Sequence, residues 1–177
     1  ESKRWLVQAD VDKLRTYRLQ LDDEANQGSF EFFDLSVDIL QVSINKTKSY
    51  YKDILSRPFD FTMDEKIELD GEKKDFAKSD AELKQYWYKT LKYETMVRVS
   101  GKLEKQKDAP EEEQKSFETL EKEAREAVLE NFDDWYKLME KRRRSDFMSE
   151  YLNAVTNVFD PHSSYYEPKD KENFDIG

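Results

Sequence analysis

The sequence predicts a mainly all-α protein, an irregular multi-helix bundle with one long central helix and a short extended or β excursion near residues 59–70. Three observations carry this. Only four Gly and four Pro punctuate 177 residues, so helices should be long and breaks few. From Phe30 to Arg57 apolar residues recur at spacings of three, four and seven, which is the helical period. Charged residues reach 40% and hydrophobic ones only 37%, a balance that leans toward exposed helices or disorder, but 14% aromatic residues argue for a folded chain with a thin aromatic core.

Each element follows in order. Trp5-Leu6-Val7 reads as a short extended lead into a helix capped by Asp10, running to about Asn26. Gln27-Gly28-Ser29 then marks a turn. The 30–57 helix places Phe33, Val37, Leu40, Ile44, Tyr51 and Ile54 or Leu55 on one stripe, with Phe32, Leu35, Ile39 and Val42 beside it. Two stripes imply cover on more than one side, so this helix is the central one, and Pro58 ends it. Residues 58–78 lose the helical period. Lys66-Ile67-Glu68-Leu69-Asp70 alternates like a short exposed strand, and Asp70-Gly71 signals a turn.

Ser79-Asp80-Ala81-Glu82 has the form of a capping box, in which the hydroxyl serves the amide of Glu82 and the carboxylate reaches back. The helix it opens carries Leu83, Trp87 and Leu91, and continues to about Gly101 or Lys105. Asp108-Ala109-Pro110-Glu111 restarts a helix with Pro suited to its first turn. Phe117, Leu120, Ala124, Val128, Trp135 and Met139 form its inner face. Ser145-Asp146 reads as an N-cap for a last helix, with Met148, Tyr151 or Leu152, Val155 and Val158 or Phe159 inward, and Asp160-Pro161 stops it. The division is a helical domain over 1–159 and a Pro-bounded linker over 160–177.

Composition excludes several classes. A net charge of −10 opposes general nucleic-acid binding, which needs a positive field. No apolar run approaches a transmembrane segment. Zero cysteines remove disulfides, thiol nucleophiles and thiolate metal sites.

Candidate chemistry is thin. His162 is the only histidine, so a zinc site would need three carboxylates, and a turn residue is the better reading. Ser163 and Ser164 lie beside it without an oriented base or a Gly-rich oxyanion frame, so no catalytic residue, cofactor site or metal site is assigned. Lys141-Arg142-Arg143-Arg144 is the one dense basic run. It reads either as a dock for an anionic partner or, preferably, as a helix end opposing the dipole. Tyr86-Trp87-Tyr88 cannot all face one way, so Tyr86 or Tyr88 is exposed or meets a partner surface. Trp87 and Trp135 also allow an aromatic-lined sugar site. From the residues alone, a helical interaction module and a helical accessory part of a larger enzyme both stand.

Asp160-Pro161-His162-Ser163-Ser164-Tyr165, followed by Pro168, resembles the Asp-Pro-His-Thr/Ser-x-Tyr-x-x-Pro stretch of tail-specific (C-terminal processing) serine proteases. Phe59-Asp60-Phe61-Thr62 with Leu69-Asp70, Asp80-Ala81-Glu82-Leu83 with Trp87, and Ser100-Gly101-Lys102 are similar to further segments of that family in the same order. Residue 163 is Ser where many members carry Thr, and the family has further helical sequence upstream of the equivalent of Glu1.

The resemblance implies that this region is the non-catalytic helical N-terminal domain. The family's PDZ domain and its Ser–Lys protease core would lie beyond Gly177. It implies a parent enzyme that processes proteins from apolar C-termini in the periplasm or envelope of a Gram-negative-type bacterium. Asp160, Pro161, His162, Ser163, Tyr165 and Pro168 would then be a family marker and interdomain joint. Implied partners are the protein's own PDZ and protease domains, an adaptor protein and protein substrates, with no cofactor. The alternative is a free-standing helical adaptor.

Overall fold

Among residues 2–167, which the computed structural model of the protein describes, the chain forms six α-helices and no strand. A 3-10 turn at Ser2–Arg4 leads into α1 (Gln8–Arg15) and α2 (Leu21–Gln27). Then come α3 (Glu31–Leu55), α4 (Asp80–Gln106), α5 (Phe117–Glu140) and α6 (Arg144–Phe159).

The helix expected over residues 10–26 is two helices. Between them Tyr17, Arg18 and Gln20 donate back three residues to Leu14, Arg15 and Tyr17 instead of four, and the Thr16 hydroxyl takes the Lys13 carbonyl. Val7 stands at the N-cap, not Asp10. The Asp10 carboxylate instead accepts the Val7 amide at 3.0 Å, which is the return half of a capping box. Gly28 closes α2 in the left-handed region at φ 69°, where a side chain would be strained.

The long helix α3 packs against α1, α4, α5 and α6, so its central place is as expected. Phe30 at its N-cap offers no side-chain acceptor, and buried Glu24 of α2 takes over by accepting the Phe32 amide at 3.1 Å. On the inner stripe of α3, Phe33, Ile44, Tyr51 and Leu55 are buried as the spacing implied. Ser43 and Thr47 are buried too, whereas Val42 is 65% exposed.

The segment at 66–70 forms no strand. The one β-bridge among the described residues joins Val7 to Ala77. The α4 cap forms as the sequence implied, with Ser79 Oγ accepting the Glu82 amide at 3.3 Å. Glu82 reaches back to the Lys78 amide at 2.7 Å, one residue earlier than expected. Pro110 opens only a 3-10 turn (Glu111–Glu113), and α5 starts later, with Ser116 Oγ accepting the Thr119 amide.

The core is a stack of rings between α3, α4 and α5. Tyr51 lies 4.8 Å from Tyr136 and 5.6 Å from Phe132, and Trp87 meets Phe132 edge-on at 5.4 Å. Phe132 and Tyr136, outside the expected α5 stripe, are buried at its centre, while Phe117 is exposed. Tyr136 donates to Thr47 Oγ1 at 2.8 Å, and Tyr51 donates to Asp133 at 2.6 Å, so both of these core phenols find acceptors. Burial and the Asp133 hydrogen bond both raise the Tyr51 phenol above its ordinary range. Among the described residues no helix is long and apolar enough to cross a membrane.

Candidate functional site

The segment that carries the family marker is positioned by α6. That helix begins one residue before Ser145, with Arg143 at the N-cap and Asp146 accepting the Arg143 amide at 2.7 Å. The carboxylate three residues into the helix again serves the cap amide, as Asp10 does in α1. Phe147 is the buried anchor of α6. The three arginines of the basic run before it pair within the chain. Arg142 pairs with Glu150 at 2.6 Å, Arg143 with Asp146 at 3.2 Å and Arg144 with Asp34 of α3 at 2.5 Å. Arg144 also lies over the Phe33 ring, which ties the start of α6 to the start of α3.

Beyond Phe159 the chain turns sharply. Asp160 and Pro161 occupy the first two positions of a four-residue turn closed by the Ser163 amide donating to the Asp160 carbonyl at 3.1 Å. The Asp160 carboxylate organises the turn. Its Oδ1 accepts the His162 amide at 3.0 Å and its Oδ2 accepts the Ser163 hydroxyl at 2.6 Å. These two hydrogen bonds hold its carboxyl below the usual carboxylate range. The chain then runs back along α6. The Tyr165 amide donates to Asn153 Oδ1 at 2.7 Å, the Asn153 amide donates to the Tyr165 carbonyl at 3.2 Å, and Ser149 donates to Glu167 at 2.9 Å.

Asp160, His162 and Ser163 are therefore adjacent, but in the wrong order for nucleophilic catalysis. Both partners address the carboxylate. His162 Nδ1 lies 3.3 Å from Asp160 Oδ1, and the Ser163 proton already belongs to Oδ2. A triad needs the imidazole between acid and hydroxyl. The His162 side chain is 91% exposed, so nothing excludes water from it. Pro168 lies outside the described residues.

The C-terminal half of α6 does not turn inward as its apolar spacing implied. Val155, Val158 and Phe159, at i, i+3 and i+4, share a face open to solvent, with Val158 80% and Phe159 85% exposed. α6 meets α3 through its first half, where Arg144 pairs with Asp34 and the Tyr151 ring lies 5.4 Å from Phe33. Tyr166 adds an exposed ring to the same stretch of chain.

The other aromatic candidates are covered by the protein itself. Tyr88 is half-buried and meets Phe59 edge-on at 5.6 Å. Tyr86 is half-buried beneath the Lys74 ammonium. Trp87 is fully buried and donates Nε1–H to the Arg4 carbonyl at 2.9 Å, so it presents no face to a sugar. Trp135 stacks on Trp5 at 4.7 Å.

The geometry is that of a helical domain with a folded-back exit and an exposed apolar end. Residues 1–169 match the family model described as the tail specific protease N-terminal domain. A relative, the tail-specific protease of Haemophilus influenzae, is 24% identical over 170 residues, which is 95% of this chain. That alignment covers 22% of the relative, so the chain spans less than a quarter of its length. With the family model covering nearly the whole chain, this protein belongs to the tail-specific protease N-terminal domain family.

Proposed function

We propose that this chain is the non-catalytic structural and docking domain of a tail-specific serine protease that processes proteins from apolar C-termini. The observation that carries the reading is the α6 end, where Val155, Val158 and Phe159 present an apolar face beside a turn locked by Asp160. An exposed cluster of large apolar residues beside a chain exit is suited to another domain of the same protein. In this reading Asp160–Pro168 hands the chain to a PDZ domain, and a Ser–Lys core further on performs the hydrolysis. An adaptor protein is a further partner in this reading, and the protein works in the periplasm or envelope of a Gram-negative-type bacterium.

The test is a peptidase assay on the 177-residue chain with peptides ending in apolar residues. The expected result is no turnover, because His162 and Ser163 are spent on Asp160. Turnover that disappears in Ser163→Ala would overturn the reading. The reading frame after Gly177 separates this proposal from a free-standing helical adaptor, since only the former continues into a PDZ and protease region.

A further inference from the structure

A second feature lies away from α6. The loop at 61–67 lies against α4, and the two border a cleft of about 100 Å³. Met63 and Ile67 line it from the loop, and Tyr93 and Met96 line it from the helix. Lys66 and Lys89 stand in the same walls. Lys89, Lys92, Tyr93 and Met96 fall at i, i+3, i+4 and i+7, so they share one face of α4. Two contacts tie the loop to that face. Lys92 pairs with Glu65, and Lys89 donates to the Lys66 carbonyl at 3.1 Å.

The chain has no cysteine, so its four methionines hold all of its sulfur. They are not equally reachable. Met63 is 63% exposed and Met96 is 46% exposed, and both border this cleft. Met139 is half-buried against the aromatic core, and Met148 is half-buried on α6. A thioether has no proton to lose before it reacts, so access of the oxidant to sulfur decides which methionine is oxidised first.

We propose that Met63 and Met96 form a reversible oxidation site for peroxides, at which the cleft turns from apolar to polar while the fold is kept. The sulfur lone pair takes one oxygen of hydrogen peroxide. The O–O bond breaks as the S–O bond forms, and the proton on the transferred oxygen passes to the departing hydroxide, which leaves as water. Sulfur is oxidised by two electrons and the peroxide is reduced by two. The sulfoxide is polar where the thioether was apolar. Lys66 and Lys89 line the same cleft, and an ammonium carries three donors, so the new oxygen has partners at hand. Neither methionine belongs to the buried core, so the helices do not depend on them. The site is separate from the α6 face and stands whether or not that face docks a domain.

The test treats the unmodified chain with dilute hydrogen peroxide and follows sulfoxide at each methionine by peptide mass spectrometry. Met63 and Met96 are expected to oxidise at least about fivefold faster than Met139 and Met148. Helical circular dichroism should persist through that fast phase. The two methionine sulfoxide reductases, one for each sulfoxide epimer, should return both residues to thioethers in the folded chain. Met63→Leu combined with Met96→Leu should remove the fast phase and leave the slow one. Oxidation of Met63 or Met96 no faster than that of Met139 or Met148, helicity lost in step with the fast phase, or failure of the reductases to restore both residues would each overturn the proposal. The rates come from the unmodified chain, so they decide even where the double variant fails to fold.

Discussion

Glu121 shows how a single polar side chain can organise three segments of this molecule. It is buried on α5, where it accepts the Phe59 amide at 3.1 Å and the Arg125 Nε–H at 3.0 Å. Arg125 in turn donates to the Leu55 carbonyl at 2.7 Å, so the pair closes the end of α3 and anchors the chain after Pro58. Removing one partner of a buried ion pair leaves an uncompensated charge. Glu121→Ala is therefore expected to lower unfolding free energy by about 3–5 kcal/mol in urea titrations. A loss under about 1 kcal/mol, the scale of an exposed pair, would show that the contact is incidental. Such residues were the least legible from sequence. Glu24, Ser43, Thr47 and Glu121 are polar letters on buried faces, and hydropathy periodicity assigns them outward. Thr47 meets Tyr136 of α5 and Glu24 meets the first turn of α3, contacts that only the tertiary fold creates.

Helix existence was readable because the apolar period is strong: α3 and α4 lie close to their expected bounds, and α5 is present but starts later, at Phe117. Helix starts were less so. Asp10 and Asp146 sit three residues inside α1 and α6, and each serves the cap amide from there, so an acid near a helix start does not identify the cap. Pro110 is equally ambiguous, because its fixed φ suits a 3-10 turn as well as an α-helix. The junction of α4 and α5 is held electrostatically. Glu123 on α5 accepts from Lys102 of α4 and Lys115 of the connecting loop, which lowers its carboxyl from 4.5 to about 2. A folded pKa below the unfolded one gives stability present above the unfolded pKa and lost as pH falls through the folded one. Thermal unfolding should therefore ease as pH falls from 4.5 to about 2. Glu123→Gln should flatten that slope relative to the wild type, and an unchanged slope would assign the acid sensitivity to other carboxylates.

At the scale of the whole molecule, polarity divides the protein. Rings from α3, α4 and α5 make a closed core, while the apolar residues at the end of α6 stay outside it. The sequence marked Asp160–Tyr165 as a family feature, and the geometry gives it a physical role. Asp160 fixes the turn and Asn153 holds the returning strand of chain against α6. The inward assignment of Val158 and Phe159 failed because periodicity reports an apolar face without saying what covers it. If another domain of the longer protein covers that face, its amides become protected there. The direct measurement is hydrogen exchange over residues 144–167, compared between this chain alone and the full-length protease. The account expects slower exchange around Val155–Phe159 in the full-length protein, with the α3–α5 core unchanged. Equal exchange at Val155–Phe159 in the two would contradict the docking role of α6.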